Sequence, residues 1–380
     1  MTELDVSPVA ELLDELRRGR MILLLDERDG RGNEGVVMVA AEHCMPEHIT
    51  FLARRARGLV CLAMPRERCD QLGLPPMAGG DNEDGARFTV SIEAAHGIDT
   101  GISAADRAHT VRVAASARAV AEDIVQPGHI FPLAAEPGGV LTRAGHTECG
   151  VDLTRLAGLV PAAVIADVLD VNGDLADGQA LKEFAIAHDL KVGTVADLIH
   201  YRIANERTIE PLRRGTLATA FGEFQITVYR DRTHGGLHLA LTLGELVADK
   251  AALVRVHAAT TLRDLLGADE GVAGGWSSQR ALQKIAEEGS GALVLLARRE
   301  SDEQMLHSLD IALGTADAPE FHSGDSYNTV GVGSQILRDL GVGEIRLMGA
   351  PIKYNAISGF GLKVVAYLDP DDSTESTVYD

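Results

Sequence analysis

No window of this chain approaches the roughly 20 consecutive apolar residues that a membrane helix needs. The longest early apolar run, Met21 to Leu25, is strand-sized. Apolar segments this short are buried as strands or as one face of amphipathic helices, which points to soluble, mixed domains. With 380 residues, the chain holds two domains or one large one.

The pattern supports that reading. Val9, Leu12, Leu13 and Leu16 recur at helical spacing within Val6–Arg18, with Ser7 as N-cap and Pro8 in the first turn. Met21–Leu25, Val36–Ala41, Leu59–Ala63, Phe88–Glu93 and Val164–Leu169 read as strands. His48–Arg57, Arg66–Leu72, Ala104–Ala121, Lys182–His188 and Val195–Ala204 read as helices. A polar junction near Asn205–Arg214, which contains Pro211, separates a first domain over residues 1–205 from a second over 206–368. In the second, Phe224–Tyr229, Leu237–Leu243, Val254–His257 and Ala292–Leu296 are expected as strands and Ser278–Glu288 as a helix. The architecture expected is α+β followed by α/β. The acidic tail, 369–380, is expected to be disordered.

Composition narrows the function. Lys and Arg number 35 and Asp and Glu 56, for a net charge of −21. So acidic a chain is a poor non-specific binder of nucleic acid or of an anionic membrane. A phosphorylated ligand must then be held by a local group of cations. Met1–Asp14 is acidic and lacks the basic start of a secretory signal. The four cysteines, Cys44, Cys61, Cys69 and Cys149, show neither a C-x-x-C pair nor zinc spacing. A cytoplasmic protein with free thiols is expected.

Four clusters carry candidate chemistry. The first is the charged, glycine-rich loop Asp26–Gly35, whose glycines admit a ligand to the backbone. Most such hairpin loops are only solvated. The second, Thr100-Gly101-Ile102-Ser103-Ala104-Ala105-Asp106-Arg107, opens a helix and can offer N–H groups to a phosphate. Ser103 and Asp106, three positions apart, equally make a helix cap without any ligand. The third, Gln126–Leu133, sets His129 on a turn stiffened by proline and glycine, where it suits acid–base work. A histidine bonded to backbone is the plainer account. The fourth, Arg143-Ala144-Gly145-His146-Thr147-Glu148, combines a phosphate-binding cation with a metal-binding imidazole. It also reads as a capped helix start. Each plain account is stronger for its cluster alone, and weaker for the four together in this order.

In that order the clusters resemble the 3,4-dihydroxy-2-butanone 4-phosphate synthase family. The resemblance rests on Arg31…Asn33-Glu34-Gly35, Gly58–Leu62, Phe88-Thr89-Val90, Thr100–Arg107, Pro127–Leu133, Gly138–Arg143 and Gly145–Glu148, and it spans about residues 5–205. It implies an α+β homodimer joined through the first domain, using Mg2+ or Mn2+. It also implies conversion of ribulose 5-phosphate to formate and a four-carbon ketose phosphate in riboflavin biosynthesis. Carried over residue by residue, it gives acid–base roles to His129 and Asp167 and places Cys61 in the site. Arg31, Glu34, Thr100, Ser103, Asp106, Arg143, Ala144, Gly145 and Thr147 would contact substrate. His146 and Glu34 would bind the metal. The chain departs from the family pattern at Gly32, where a glutamate ligand is expected, at Val36 in place of an aspartate, and at Asp167 in place of a glutamate. Asp29 or Glu27 is a candidate substitute for the missing carboxylate. Altered sugar-phosphate chemistry, or a non-catalytic role, follows from these departures as an alternative.

The second domain resembles GTP cyclohydrolase II through Gly222-Glu223-Phe224, Tyr229–Arg232, Val254–His257 and Gly331–Gly341. Thr260, Gly271 and Ala273 stand where that family has its zinc cysteines. Thr329 and Val330 replace its aspartate and tyrosine, and Arg299–Glu303 replaces its Gly-Arg-Gly segment. A thiolate zinc site cannot form without thiols. No zinc and no GTP cyclohydrolase II activity are therefore expected.

Overall fold

The computed structural model describes residues 6–28, 32–77, 87–233, 235–268, 275–297, 300, 302–313, 315, 323–349, 362–368 and 375–377. The chain divides into two compact units at Arg202/Ile203.

The first unit is built on a seven-stranded mixed sheet. Its strands are β1 (Ile22–Arg28), β2 (Gly32–Ala40), β3 (Cys61–Pro65), β4 (Ile92–Ala94), β5 (Ile124–Ala135), β6 (Ala163–Asp167) and β7 (Lys191–Thr194). They lie in the order β4-β5-β3-β6-β2-β1-β7. Its helices are α1 (Val9–Arg17), α2 (Pro46–Phe51), α3 (Arg66–Gln71), α4 (Ala104–Ala115), α5 (His146–Leu156), α6 (Gly178–Ala187) and α7 (Val195–Asn205), the last crossing the division.

Alternation along the strands separates two faces. Leu23, Leu25, Val37, Val39, Leu62, Met64, Val164 and Ala166 pack with Ile49, Val111 and Leu181 from α2, α4 and α6. The opposite face carries Ile22, Leu24, Val36, Met38, Ala63, Ala163 and Ile165, all buried. There α5 crosses β2, β3, β5 and β6. Gly150 lets it come close: a Cβ at that position would sit 3.0 Å from the Ala163 Cβ and 3.6 Å from that of Ala63. α1 covers the β7 end of the same face, with a Leu12 methyl where a Gly193 side chain would begin.

The second unit is an eight-stranded mixed sheet in the order β15-β14-β13-β11-β12-β10-β9-β8. Its strands are β8 (Ile209–Thr219), β9 (Gly222–Asp231), β10 (Leu237–Leu243), β11 (Ala252–Ala258), β12 (Gly291–Leu296), β13 (Glu344–Met348), β14 (Lys363–Leu368) and β15 (Glu375–Thr377). β11 to β14 run parallel where they pair, and β8, β9 and β10 are antiparallel. Its helices are α8 (Ser278–Glu288), α9 (Asp302–Ala312) and α10 (Ser323–Asp339). The core gathers Phe224, Leu253, Trp276, Ile285, Leu293 and Met348. Trp276 donates its indole N–H to the Leu368 carbonyl at 3.0 Å.

Several sequence expectations are corrected. Ser7 does not cap α1; Pro8 occupies the N-cap and the Ser7 amide bonds Val192 O at 2.7 Å. α4 ends at Ala115 rather than Ala121, because the Arg68 guanidinium takes the Ala114 and Ser116 carbonyls. The helix expected over His48–Arg57 is α2 followed by a wider turn over Leu52–Ala56 that stops at Arg57, φ +70°. Within Phe88–Glu93 only Ile92 and Glu93 belong to a strand, and Phe88 and Thr89 make isolated bridges. Pro211, read as part of a junction, sits inside β8, where the register shifts between Pro211 and Arg213. The tail expected to be disordered contains β15, which pairs antiparallel with β14. Its other residues, 369–374 and 378–380, lie outside the described residues.

Candidate functional site

Strand pairing extends into the charged segment from both sides. β1 runs to Arg28 and β2 starts at Gly32, with Asp26 opposite Glu34 and Glu27 opposite Asn33. Asp29, Gly30 and Arg31 lie outside the described residues, as do the side chains of Glu27, Arg28 and Asn33.

The sheet register brings several predicted residues to one face. Val36 pairs with Asp167, and Cys61 pairs with both Ile165 and Phe131. Side chains two residues apart point the same way. Glu34, Asp167 and Cys61 therefore share the face that α5 covers, and Asp26 joins them as the partner of Glu34. Val36, at 2% exposure, puts an apolar side chain between the carboxylates.

Desolvation, then the like charge of Glu34, raises the Asp167 carboxyl above its usual range, although one side of it stays open to solvent. Burial, then the charge of Asp167, pushes the Cys61 thiol up to about 12. Cys61 therefore lines the site as a neutral thiol and not as a thiolate nucleophile.

Gly58 lets β3 enter beside Asp167. Its amide donates to the Asp167 carbonyl at 3.1 Å, and a Cβ there would lie 2.3 Å from that oxygen.

At the end of α5, Gly145 is the N-cap and His146 the first helical residue. The free N–H groups and the positive dipole end of a helix favour an anion here. Glu148 is fully buried. One of its oxygens accepts the Glu136 amide at 2.9 Å and the other lies 3.3 Å from Arg143 Nε. Burial raises the Glu148 carboxyl, and Arg143 opposes that rise. A side chain at Gly145 would meet this pair, 2.8 Å from the Glu148 oxygen. Thr147 is 4% exposed, whereas Ala144 is exposed. Cys149, fully buried, has its thiol raised well above its ordinary value by burial and then by Asp152, Asp26 and Glu148. The first turn of α5 thus lies close to the Asp26 end of the hairpin.

Within the Thr100–Arg107 turn, Ser103 and Asp106 bond back to the backbone of the turn. Ser103 Oγ accepts the Asp106 amide at 3.0 Å, and the Asp106 carboxylate accepts the amides of Thr100 (3.2 Å) and Gly101 (3.0 Å). The expected Ser103–Asp106 cap is present, and the Asp106 carboxylate engages those two amides.

His129 is not on a turn. It lies within β5, beyond the cis Gln126–Pro127 peptide and two residues before Phe131, the partner of Cys61. Its Nδ1 contacts Glu93 Oε1. Sequence reasoning did not single out Glu93, and took Asp26 only as the first residue of the charged loop. The signal for Asp26 was present, since Ile22, Leu24 and Asp26 alternate onto one face.

For a metal, the donors on offer are the Glu34, Asp26 and Asp167 carboxylates and the His146 imidazole. Among the described residues no three His, Cys, Asp or Glu side chains converge as a complete cage. Mg2+ commonly takes only one or two carboxylates and completes its shell with water and substrate oxygens. Hard oxygen donors beside thiols held protonated suit Mg2+ or Mn2+ and not a thiolate-bound metal.

In the second unit, Thr260 at the first zinc-cysteine position caps a short turn, its hydroxyl accepting the Arg263 amide at 3.4 Å. Glu300 accepts the Thr261 amide (2.9 Å) and hydroxyl (2.6 Å). Asp264 accepts His257 Nε2–H (2.8 Å) and the amides of Thr260 (2.9 Å) and Ser278 (2.8 Å). Gly271, Ala273 and Arg299 lie outside the described residues.

A family model described as 3,4-dihydroxy-2-butanone 4-phosphate synthase matches residues 10–201, and one described as GTP cyclohydrolase II matches 211–369. A 3,4-dihydroxy-2-butanone 4-phosphate synthase of Pseudomonas aeruginosa is 50% identical, covering 96% of this chain and 99% of its own length. The riboflavin biosynthesis protein RibBA of Aquifex aeolicus is 42% identical over 96% of this chain and 92% of its own. The crystal structure of RibBX, a two-domain 3,4-dihydroxy-2-butanone 4-phosphate synthase from A. baumannii, aligns with a TM-score of 0.78 at 43% identity, over 94% of this chain and 99% of that one.

Proposed function

The chain belongs to the 3,4-dihydroxy-2-butanone 4-phosphate synthase family, with a GTP cyclohydrolase II-like second unit, and we propose that its first unit is a lyase of riboflavin biosynthesis. It converts ribulose 5-phosphate to 3,4-dihydroxy-2-butanone 4-phosphate and formate. The observation that supports this is the gathering of Glu34, Asp167 and Cys61 on the sheet face that α5 crosses, with His146 at the start of that helix and Arg143 in the turn before it.

Arg143, fixed by Glu148, and the start of α5 hold the phosphate. Glu34 and His146 hold Mg2+ or Mn2+, with Asp26 beside Glu34. A bound divalent cation polarises neighbouring sugar oxygens and acidifies the C–H between them. Asp167 keeps a proton to higher pH than an ordinary aspartate, which fits a general acid that helps a hydroxyl leave as water. His129 moves the other proton. Cys61 supplies a neutral wall.

We assign assembly as a homodimer through the first unit. Leu59, Ile102 and Val125 are exposed apolar side chains of this unit, at 47%, 59% and 44% exposure, and support that assignment. The second unit is assigned no GTP cyclohydrolase II chemistry. Residues 206–380 contain no cysteine, and the turn at Thr260 is closed by its own hydrogen bonds.

Val36 favours a second reading. A buried valine opposite Asp167, where the family pattern has aspartate, is consistent with a changed product from a related sugar phosphate.

The test is turnover of ribulose 5-phosphate by the full-length protein against Mg2+ concentration. We expect loss of activity with EDTA and recovery with Mg2+. Glu34→Gln should raise the Mg2+ needed for half-maximal rate about 10- to 100-fold. Activity indifferent to EDTA, or an unchanged Mg2+ requirement in Glu34→Gln, would remove Glu34 from the site.

A further inference from the structure

We infer, on the proposed reading of Arg143 as the cation that holds the substrate phosphate, that Asp152 and Arg202 are positioning residues for it. As a buried ion pair they lock the loop of residues 138–140, to which the backbone of Arg143 is tied.

Glu148 and Asp152 are four positions apart on α5, so their side chains leave the same side of the helix. Both are buried, and both turn back to the loop that leads from β5 into α5. Glu148 accepts the Glu136 amide and lies beside Arg143. Asp152 Oδ2 accepts the Val140 amide at 2.8 Å and Arg202 Nη1–H at 2.7 Å. The same Arg202 nitrogen donates to the Gly138 carbonyl at 2.7 Å. The backbone is therefore gripped on both sides of Gly139, by a carbonyl before it and an amide after it.

Gly139 passes this hold on to Arg143. Its carbonyl accepts the amides of Thr142 at 2.9 Å and Arg143 at 3.0 Å. Gly139 has φ +64°, and a Cβ on it would fall 2.2 Å from Asp152 Oδ2. The carboxylate thus packs directly on the glycine backbone. Two adjacent glycines leave a loop many conformations of similar energy. The ion pair selects one of them.

Arg202 comes from α7, 50 residues beyond Asp152. The side chains of Arg202 and Asp152 are 6% and 5% exposed. Besides the Val140 amide and Arg202, Asp152 accepts Arg155 Nη2–H at 3.4 Å. These three partners are donors, the set that an ionised carboxylate takes. Burying such a pair costs desolvation that apolar side chains of similar volume would avoid. Apolar side chains cannot hold a carbonyl and an amide in fixed places, and that is the use made of the charges here.

The test uses full-length protein and inorganic phosphate, with binding followed by titration calorimetry and no turnover needed. Arg143→Ala should weaken phosphate binding about 10- to 100-fold, the range of a lost charge-assisted hydrogen bond. Arg202→Met and Asp152→Asn should each weaken it about tenfold. Arg202→Lys should recover most of the loss, since one terminal nitrogen makes both bonds. In turnover, the Met and Asn variants should raise KM for ribulose 5-phosphate about tenfold with kcat within about threefold, as for lost ground-state binding. The double variant Asp152→Asn/Arg202→Met removes both charges together and covers the case in which a single variant does not fold. The deciding comparison is a cycle with Arg143→Ala. In that background Arg202→Met should change phosphate affinity less than about twofold, because no cation is left to position. An equal loss in both backgrounds would mark the pair as serving the fold alone and overturn the inference. Unchanged phosphate affinity in folded Asp152 and Arg202 variants, with Arg143→Ala weakened, overturns the role of the pair and leaves that of Arg143 standing. Arg143→Ala binding phosphate as tightly as wild type overturns the reading of Arg143 and the inference with it.

Discussion

Asp167 and Asp264 show how the same side chain is pushed in opposite directions by its surroundings. Around Asp167, desolvation and the Glu34 charge act together, and the carboxyl rises. Around Asp264, burial alone would raise the carboxyl, but the hydrogen bond from His257 and the amides of Ser278 and Thr260 outweigh it. The group is held well below the usual carboxylate range. A carboxyl depressed by folding contributes stability above its unfolded value, near pH 4, and loses that contribution as pH falls toward its folded value. Asp264→Asn should therefore destabilise the second unit by about 1–3 kcal/mol at pH 7. The gap from wild type should narrow between about pH 5 and pH 3. Trp276, the one tryptophan of the chain, is buried in that unit, so urea unfolding followed by its fluorescence reads the unit selectively. A gap that widens on acidification would contradict the assignment of Asp264 as an ionised hub.

At the scale of elements, the site depends on how closely β3 can approach β6. Gly58→Ala would place a methyl 2.3 Å from the Asp167 carbonyl oxygen and 2.7 Å from its nitrogen, both backbone atoms that cannot swing away. β6 must shift. We expect a loss of about 1–3 kcal/mol in stability. Displacing Asp167 by an ångström should also cost about 100-fold in turnover. Gly215→Ala, with nothing within 4 Å, is the control and should be near neutral. A folded Gly58→Ala variant with wild-type activity would contradict the role of this close approach.

The elements also show what the sequence made legible. α8 follows its local signals closely, with Ser277 capping it and Gly289, φ +77°, ending it. Where the deciding contact is distant, local reading fails. α4 stops early because Arg68, far along the chain, takes its last carbonyls. β5 was read as a turn because Pro127 and Gly128 mark turns more often than strands. They are tolerated in β5 at the place where its pairing with β4 is irregular. His129 was found but Glu93 was not, since only the strand register makes them neighbours. The Arg143–Glu148 pair and the Asp106 cap were legible because their partners lie within a few residues.

At the scale of the whole molecule, each unit has its own sheet and core, and the candidate chemistry sits in the first. Among the described residues no helix is long and apolar enough to cross a membrane. The four cysteines are free, buried and confined to the first unit. A net charge of −21 repels an anionic ligand at long range, so the proposed capture of a sugar phosphate must rest on local groups, for which Arg143 and the start of α5 are the candidates. The departures at Gly32 and Val36 then become a question about the product, because the family relationship is carried by the whole chain and the product by this one face. The most direct measurement is 13C NMR of uniformly labelled ribulose 5-phosphate incubated with the full-length protein and Mg2+. The account predicts labelled formate and 3,4-dihydroxy-2-butanone 4-phosphate appearing in equal amounts. A different carbon product, or unchanged substrate with folded protein, would contradict it.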